Sequence, residues 1–287
     1  MIKINNLFKN KNIELKEKKG PFSLYEHVSD LSNGPGTAQI QYFMQKMNVR
    51  RRQVLCEVGA SSIRVQAGAM QWLSGKVESE TGLGKGAKAF GGFLKGAVKG
   101  LVTGESAVKP VYSGEGYLML EPTFQHILLE DVSTWGPDGI VLENGMFLAC
   151  ETSLEEKVIP LKNLSALFGS GESAFNLVLK GKGIAALESY APREELIEFE
   201  LQDDQLKIDG SMAVAWSGSL EFTVERSSKS LMGSLVNGEG LVNVYRGTGK
   251  VLMAPTMPDT EMDADDSPDA EDQGKSGLLS AVGKLVK

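Results

Sequence analysis

GESAVKPVYSGEGYLML at residues 104–120, GESAFNLVLKGKGIAAL at 171–187 and GEGLVNVYRGTGKVLMA at 238–254 are one phrase written three times. Successive openings lie 67 residues apart. Each phrase carries a G-x-G pair: Gly114/Gly116, Gly181/Gly183 and Gly247/Gly249. A second phrase precedes the first in every copy: AGAMQWLSGKVE around Met70, NGMFLACETSLE around Met146 and GSMAVAWSGSLE around Met212. Met146 to Gly181 and Met212 to Gly247 both span 35 residues, whereas Met70 to Gly114 spans 44, so the first copy carries about nine extra residues in its glycine-rich stretch. Several coincidences at one period point to an internal repeat.

Each copy reads as strands. Ile63/Val65, Ile140/Leu142 and Leu206/Ile208 sit two apart, as a pleated strand requires. The glycines bracket apolar runs as hairpin turns do, because such turns use positive φ. Tyr117 to Leu120 and Lys250 to Met253 read as further short strands. Only residues 192–197 and the two termini read as helical. The expectation is an all-β fold: a pseudo-threefold β-sandwich or barrel of three strand-rich repeats with a short C-terminal helix. A half-apolar sheet cannot bury its face alone, which favours the sandwich or barrel. The expected organisation is an N-terminal extension at 1–37 and a three-repeat β domain at 38–255. Its repeats fall at about 50–122, 123–188 and 189–255. An acidic linker and amphipathic helix follow at 256–287.

Composition narrows the function classes. Net charge is −7, which argues against general nucleic-acid binding. Cys56 and Cys150 are too few for a disulfide framework in 287 residues, so a reducing cytoplasm is the expected setting, with one bridge between them left open. His27 and His126 lie far apart in the chain, which leaves too few ligands for a His/Cys metal site. No stretch reaches the roughly 18 apolar residues of a spanning helix. The Lys-rich N-terminus has no apolar core of a secretory signal and no arginine of a transit peptide. The P-loop-like ends at Gly249-Lys250 and Gly274-Lys275-Ser276 lack the upstream glycine, since positions 244 and 269 are Val and Asp. The G-x-G pairs do not lie between a strand and a helix, so they are not dinucleotide sites. No catalytic residues and no cofactor are expected. Trp72 and Trp216 fall in equivalent segments, where core packing is expected, and Cys150 aligns with Trp216 as a buried, inert thiol.

Three candidate features remain. Residues 82–104 hold Lys85, Lys88, Lys95 and Lys99 with no acid, interleaved with Phe90, Phe93 and Leu94. Phe90, Leu94, Val98 and Leu101 form a helical apolar stripe. This basic insert reads as a contact for an anionic membrane or a protein partner, each lysine near lipid contributing about 1 kcal/mol. The alternative is a flap over a sheet edge. Glu105, Glu172 and Glu239 open the three repeats; they read as exposed residues beside turns, or as a carboxylate trio converging on an ion. The tail at 256–287 holds eight acids and three lysines before a stripe of Leu278, Leu279, Val282, Leu285 and Val286.

The thrice-repeated G-E-[SG], strand, G-x-G, strand pattern and the insert GLGKGAKAFGGFLKGAVKGLVTGES resemble the altered inheritance of mitochondria protein 24 family, also catalogued as a domain of unknown function. The resemblance runs from about Gln39 to Pro255. It implies a fold like that of the tryptophan RNA-binding attenuation protein, a likeness that carries no function. Eukaryotic members are mitochondrial and linked to inner-membrane organisation, and no catalytic residues come with the family. The expectation is a non-enzymatic binding or scaffold protein, cytoplasmic and peripheral at a membrane, and a homo-oligomer. The rival is a small-molecule- or ion-binding β-sandwich with its site between repeats.

Overall fold

The computed structural model describes residues 2–80, 109–160, 175–209, 212–226 and 241–256. Strands dominate them. β1 (Ile13–Lys19) and β2 (Phe22–His27) form a hairpin ahead of α1 (Ala38–Lys46), the one α-helix among the described residues. Then come β3 (Arg52–Val58), β4 (Ile63–Val65), β5 (Met70–Glu80) and β6 (Val111–Leu120). β7 (His126–Asp131), β8 (Ile140–Leu142), β9 (Phe147–Glu151), β10 (Glu155–Pro160), β11 (Phe175–Lys180) and β12 (Ile184–Ser189) follow. β13 (Ile197–Asp209), β14 (Ala213–Ser217), β15 (Glu221–Arg226) and β16 (Leu241–Met253) complete the order. The expected all-β class is the fold observed. One curled sheet has the order β1-β2-β3-β6-β4-β9-β12-β7 with β5 on β6; the other runs β10-β11-β8-β14-β16-β13 with β15 on β16.

Three long hairpins organise the ladders: β5 with β6, β9–β10 with β11–β12, and β14–β15 with β16. Each begins with the same slip. Met70 faces Leu120 and Trp72 faces Met119; Phe147 faces Leu187 and Ala149 faces Ala186; Ala213 faces Met253 and Ala215 faces Leu252. Beside each hairpin lies a strand in matching register: Ile63 faces Tyr112, Ile140 faces Leu179 and Leu206 faces Tyr245. The period-2 pairs read from the sequence are those strands.

The G-x-G pairs are not hairpin turns. β6 and β16 run straight through Gly114–Gly116 and Gly247–Gly249. Glycine is needed at the first pair because backbones approach closely, and at Gly247 because φ is +113°. A Cβ on Gly114, at φ +117°, would sit 2.0 Å from the Lys76 carbonyl oxygen. In the second hairpin Gly181–Gly183 marks the point where the chain changes sheet, since β11 belongs to one sheet and β12 to the other.

Apolar clusters follow the hairpins. Phe22, Val54, Ile63, Leu118 and Leu120 pack around the first, and Trp135, Leu142, Phe147, Leu179 and Leu187 around the second. Trp216, Tyr245 and Val251 pack in the third, where the Trp216 ring lies 5.3 Å from Phe222 and 5.4 Å from Tyr245. Trp216 is therefore a core residue, as expected. Trp72 is half-buried against Tyr25, Leu55 and Met119. Cys56 and Cys150 are both buried and free, so no bridge joins them. Burial pushes both thiols up, Cys150 to about 12, and makes them poor nucleophiles.

Residues 192–197 are not helical. Pro192 opens a turn closed by the Glu195 amide on the Pro192 carbonyl (3.0 Å), and Ile197 already belongs to β13. Arg193 is drawn across this turn to Glu130 at 3.2 Å and to Glu198, contacts that a propensity reading cannot see. The helix lies instead at residues 38–46, at the start of the expected β domain. The N-terminal extension joins the fold through β2, which pairs with β3. The expected C-terminal helix lies outside the described residues.

Candidate functional site

α1 reads AQIQYFMQK. Thr37 precedes it, and the Gln41 amide donates to the Thr37 carbonyl at 2.9 Å. The helix ends where the Met47 amide donates to Phe43 O at 2.9 Å and Asn48 turns to φ 61°. None of its nine residues is buried. Ile40, Tyr42, Phe43 and Met47 each leave more than half their surface in solvent, and Leu31 and Val49, in the segments flanking the helix, are also exposed. A helix this short draws its stability from packing an apolar face, and among the described residues this face is left exposed.

The run that carries the helix is basic in sequence, and its arginines are ion-paired in the fold, Arg51 with Asp30 and Arg50 and Arg52 with Glu26. Residues 31–52 contain Lys46, Arg50, Arg51 and Arg52 and no acid. Lys46 Nζ stands 5.4 Å over the Tyr42 ring, and the Arg51 guanidinium lies 5.2 Å from the exposed Phe124 ring. Such cation–π pairs hold basic and aromatic groups on a common surface.

A charged cleft of about 370 Å³ anchors the segment that leaves the helix. Glu26 of β2 is its hub. Arg50 Nη1 donates to Glu26 Oε1 at 3.0 Å and Arg52 Nη2 to Oε2 at 3.1 Å, with Lys16 Nζ at 4.0 Å. Arg52 also donates to the carbonyls of Arg50 and Phe124, both at 3.2 Å. Burial pulls the Arg52 pKa down, opposed by the Glu26 charge. Burial, then repulsion from Arg52, holds the His126 imidazole below its ordinary value. Lys16, Arg50, Arg52 and Arg193 are matched in the lining by Glu17, Glu26, Glu194 and Glu195. This balance makes the cleft an ion-paired clamp between the N-terminal hairpin, β3 and β7, rather than an anion trap.

A larger cavity of about 590 Å³ lies where Gly20, Glu57, Ser61, Glu115 and Tyr117 meet Glu151 of the second hairpin. Glu151 accepts from Ser61 Oγ at 2.6 Å and from the Ile184 amide at 2.7 Å. Among the described residues, no group of three or more His, Cys, Asp or Glu side chains is placed to hold a metal ion, and no helix is long and apolar enough to cross a membrane. The basic-insert residues Lys85, Lys88, Phe90, Phe93, Leu94, Lys95 and Lys99 lie outside the described residues, as do Glu105, Glu172 and Glu239. The sequence reading missed α1. Its signal was present: Ile40, Phe43, Met44 and Met47 at i, i+3, i+4, i+7 within an acid-free run.

Three comparisons place the chain. It is 30% identical over 198 residues to an uncharacterized protein of Streptococcus pyogenes serotype M6, covering 67% of this chain and 76% of that one. It is similar in fold to the crystal structure of a protein from Streptococcus pyogenes, with TM-score 0.52 and 22% identity over 87% of this chain and 96% of that one. The family model described as mitochondrial biogenesis AIM24 matches residues 45–256, so β1, β2 and nearly all of α1 precede the matched region. The chain belongs to the mitochondrial biogenesis AIM24 family.

Proposed function

We propose that this chain is a non-enzymatic binding scaffold that docks from a reducing compartment onto an anionic membrane surface, with α1 as its contact. The observation that carries the reading is a nine-residue helix with no buried residue, exposing Ile40, Tyr42 and Phe43, with Met47 exposed at its C-cap, in an acid-free run. Burying Ile40, Phe43 and Met47, each about two-thirds of the way, is worth roughly 3–6 kcal/mol in total. Lys46 near anionic headgroups adds about 1 kcal/mol. The clamp at Glu26 fixes the segment leaving the helix to β2 and β3, so docking would orient the β body. The insert lysines Lys85, Lys88, Lys95 and Lys99 form a second basic contact on the same reading.

Flotation with anionic and neutral vesicles tests it. Ile40→Ser/Phe43→Ser/Met47→Ser should abolish binding to anionic vesicles, and Lys85, Lys88, Lys95 and Lys99 changed to Gln should weaken it and its salt dependence. Equal flotation of the wild-type chain and the triple variant would overturn the assignment to α1. A second reading, a small polar ligand or ion held between repeats, is supported by the 590 Å³ cavity shared by Tyr117 and Glu151. It predicts a thermal shift with a small polar compound or divalent cation that is lost in Glu115→Gln.

A further inference from the structure

In two places a short strand of one unit bridges two hairpins. β4 pairs with β6 on one edge and with β9 of the next unit on the other, where Ile63 faces Glu151 and Val65 faces Ala149. β8 does the same between β11 and β14, where Ile140 faces Ser217 and Leu142 faces Ala215. Residues 205–209 of β13 hold this place in the third unit, beside β16. Among the described residues β13 has no strand on its other edge. β5 stands where β9 and β14 stand in their units, and β6 is its sole strand partner there.

Burial reflects that gap. Met70 and Leu73 of β5 are 39% and 37% exposed. Their counterparts by ladder register are Phe147 (2%) and Cys150 (0%) in β9, and Ala213 (1%) and Trp216 (2%) in β14. The positions covered at the two made junctions are the ones left bare at the third. An unpaired edge with apolar neighbours is a template for another strand.

We infer that β5 is covered by β13 of a second copy of this chain. The two made junctions set the register: Ile208 opposite Trp72 and Leu206 opposite Ser74, antiparallel. That register brings Asp204 opposite Lys76, a complementary pair across the new ladder. β5 and β13 are different surfaces, so each copy offers one to the copy before it and one to the copy after it. The contact is head-to-tail and builds a closed ring or an open chain.

The test mixes a full-length Ser74→Cys chain with a full-length Leu206→Cys chain under mild oxidation. Directly opposed antiparallel residues lie about 4.5–5.5 Å apart at Cα, within disulfide reach. The native thiols are buried and do not compete. The expected product is a mixed covalent dimer that neither chain forms alone. Asp204→Lys and Lys76→Asp should each weaken self-association in sedimentation by about threefold to tenfold, and the double reversal in one chain should restore it. A monomeric mass across the concentration series, assembly without the mixed disulfide, or an intrachain disulfide in a chain carrying both cysteines would each overturn the inference. These readouts use no lipid, so their failure and a failure of membrane docking are separate results.

Discussion

Changing Glu26 to Gln removes the charge at the centre of the clamp beneath α1. Glu26 and Arg52 are both buried, so Arg52 would keep its charge with no carboxylate. Breaking one side of a buried ion pair costs about 3–5 kcal/mol. The low end applies, about 3 kcal/mol, because Arg52 still donates to the carbonyls of Arg50 and Phe124 at 3.2 Å. For a domain of this size, that corresponds to a melting temperature lower by roughly 6–12 °C. Urea melts followed by circular dichroism give the free energy directly. Arg52→Met added to Glu26→Gln should recover part of the loss, since the orphaned charge leaves with it. A Glu26→Gln chain within about 1 kcal/mol of wild type, or a double variant as unstable as the summed singles, would refute the reasoning.

Two further outcomes follow from the geometry. Gly114→Ala should lose about 3 kcal/mol or more, through positive φ and the clash with the Lys76 carbonyl, whereas Gly59→Ala, where a Cβ meets open space, should stay within about 0.5 kcal/mol. The folded state holds His126 below its ordinary pKa, so the unfolded chain takes up that proton first as pH falls. Its contribution is complete above about pH 6.5 and declines below it, and His126→Asn should flatten that slope in urea melts between about pH 7.5 and pH 5.

The strands were legible where alternation is strong. Ile63/Val65, Ile140/Leu142 and Leu206/Ile208 lie in β4, β8 and β13, with side chains that pack toward the hairpins. β1 was hidden because IELKEKK is an edge strand whose charged residues face solvent, which masks its period. The first glycine pair misled because its cause is a backbone approach across the ladder, visible only once Lys76 faces Glu115. The turn at Pro192 is held by Arg193 reaching Glu130, 63 positions away in the chain. α1 was overlooked because a nine-residue segment with three glutamines is weakly apolar on average; its acid-free surroundings were the better signal.

The most direct test of docking through α1 labels Met47→Cys with an environment-sensitive dye. The new thiol is exposed while Cys56 and Cys150 are buried, so the label reports on the helix alone. Addition of anionic vesicles should shift the emission to the blue and raise its yield, and high salt or neutral lipid should reverse or remove the change. Emission that stays at its aqueous value with anionic vesicles, under conditions where the protein itself floats, would contradict the account and place the membrane contact elsewhere in the chain.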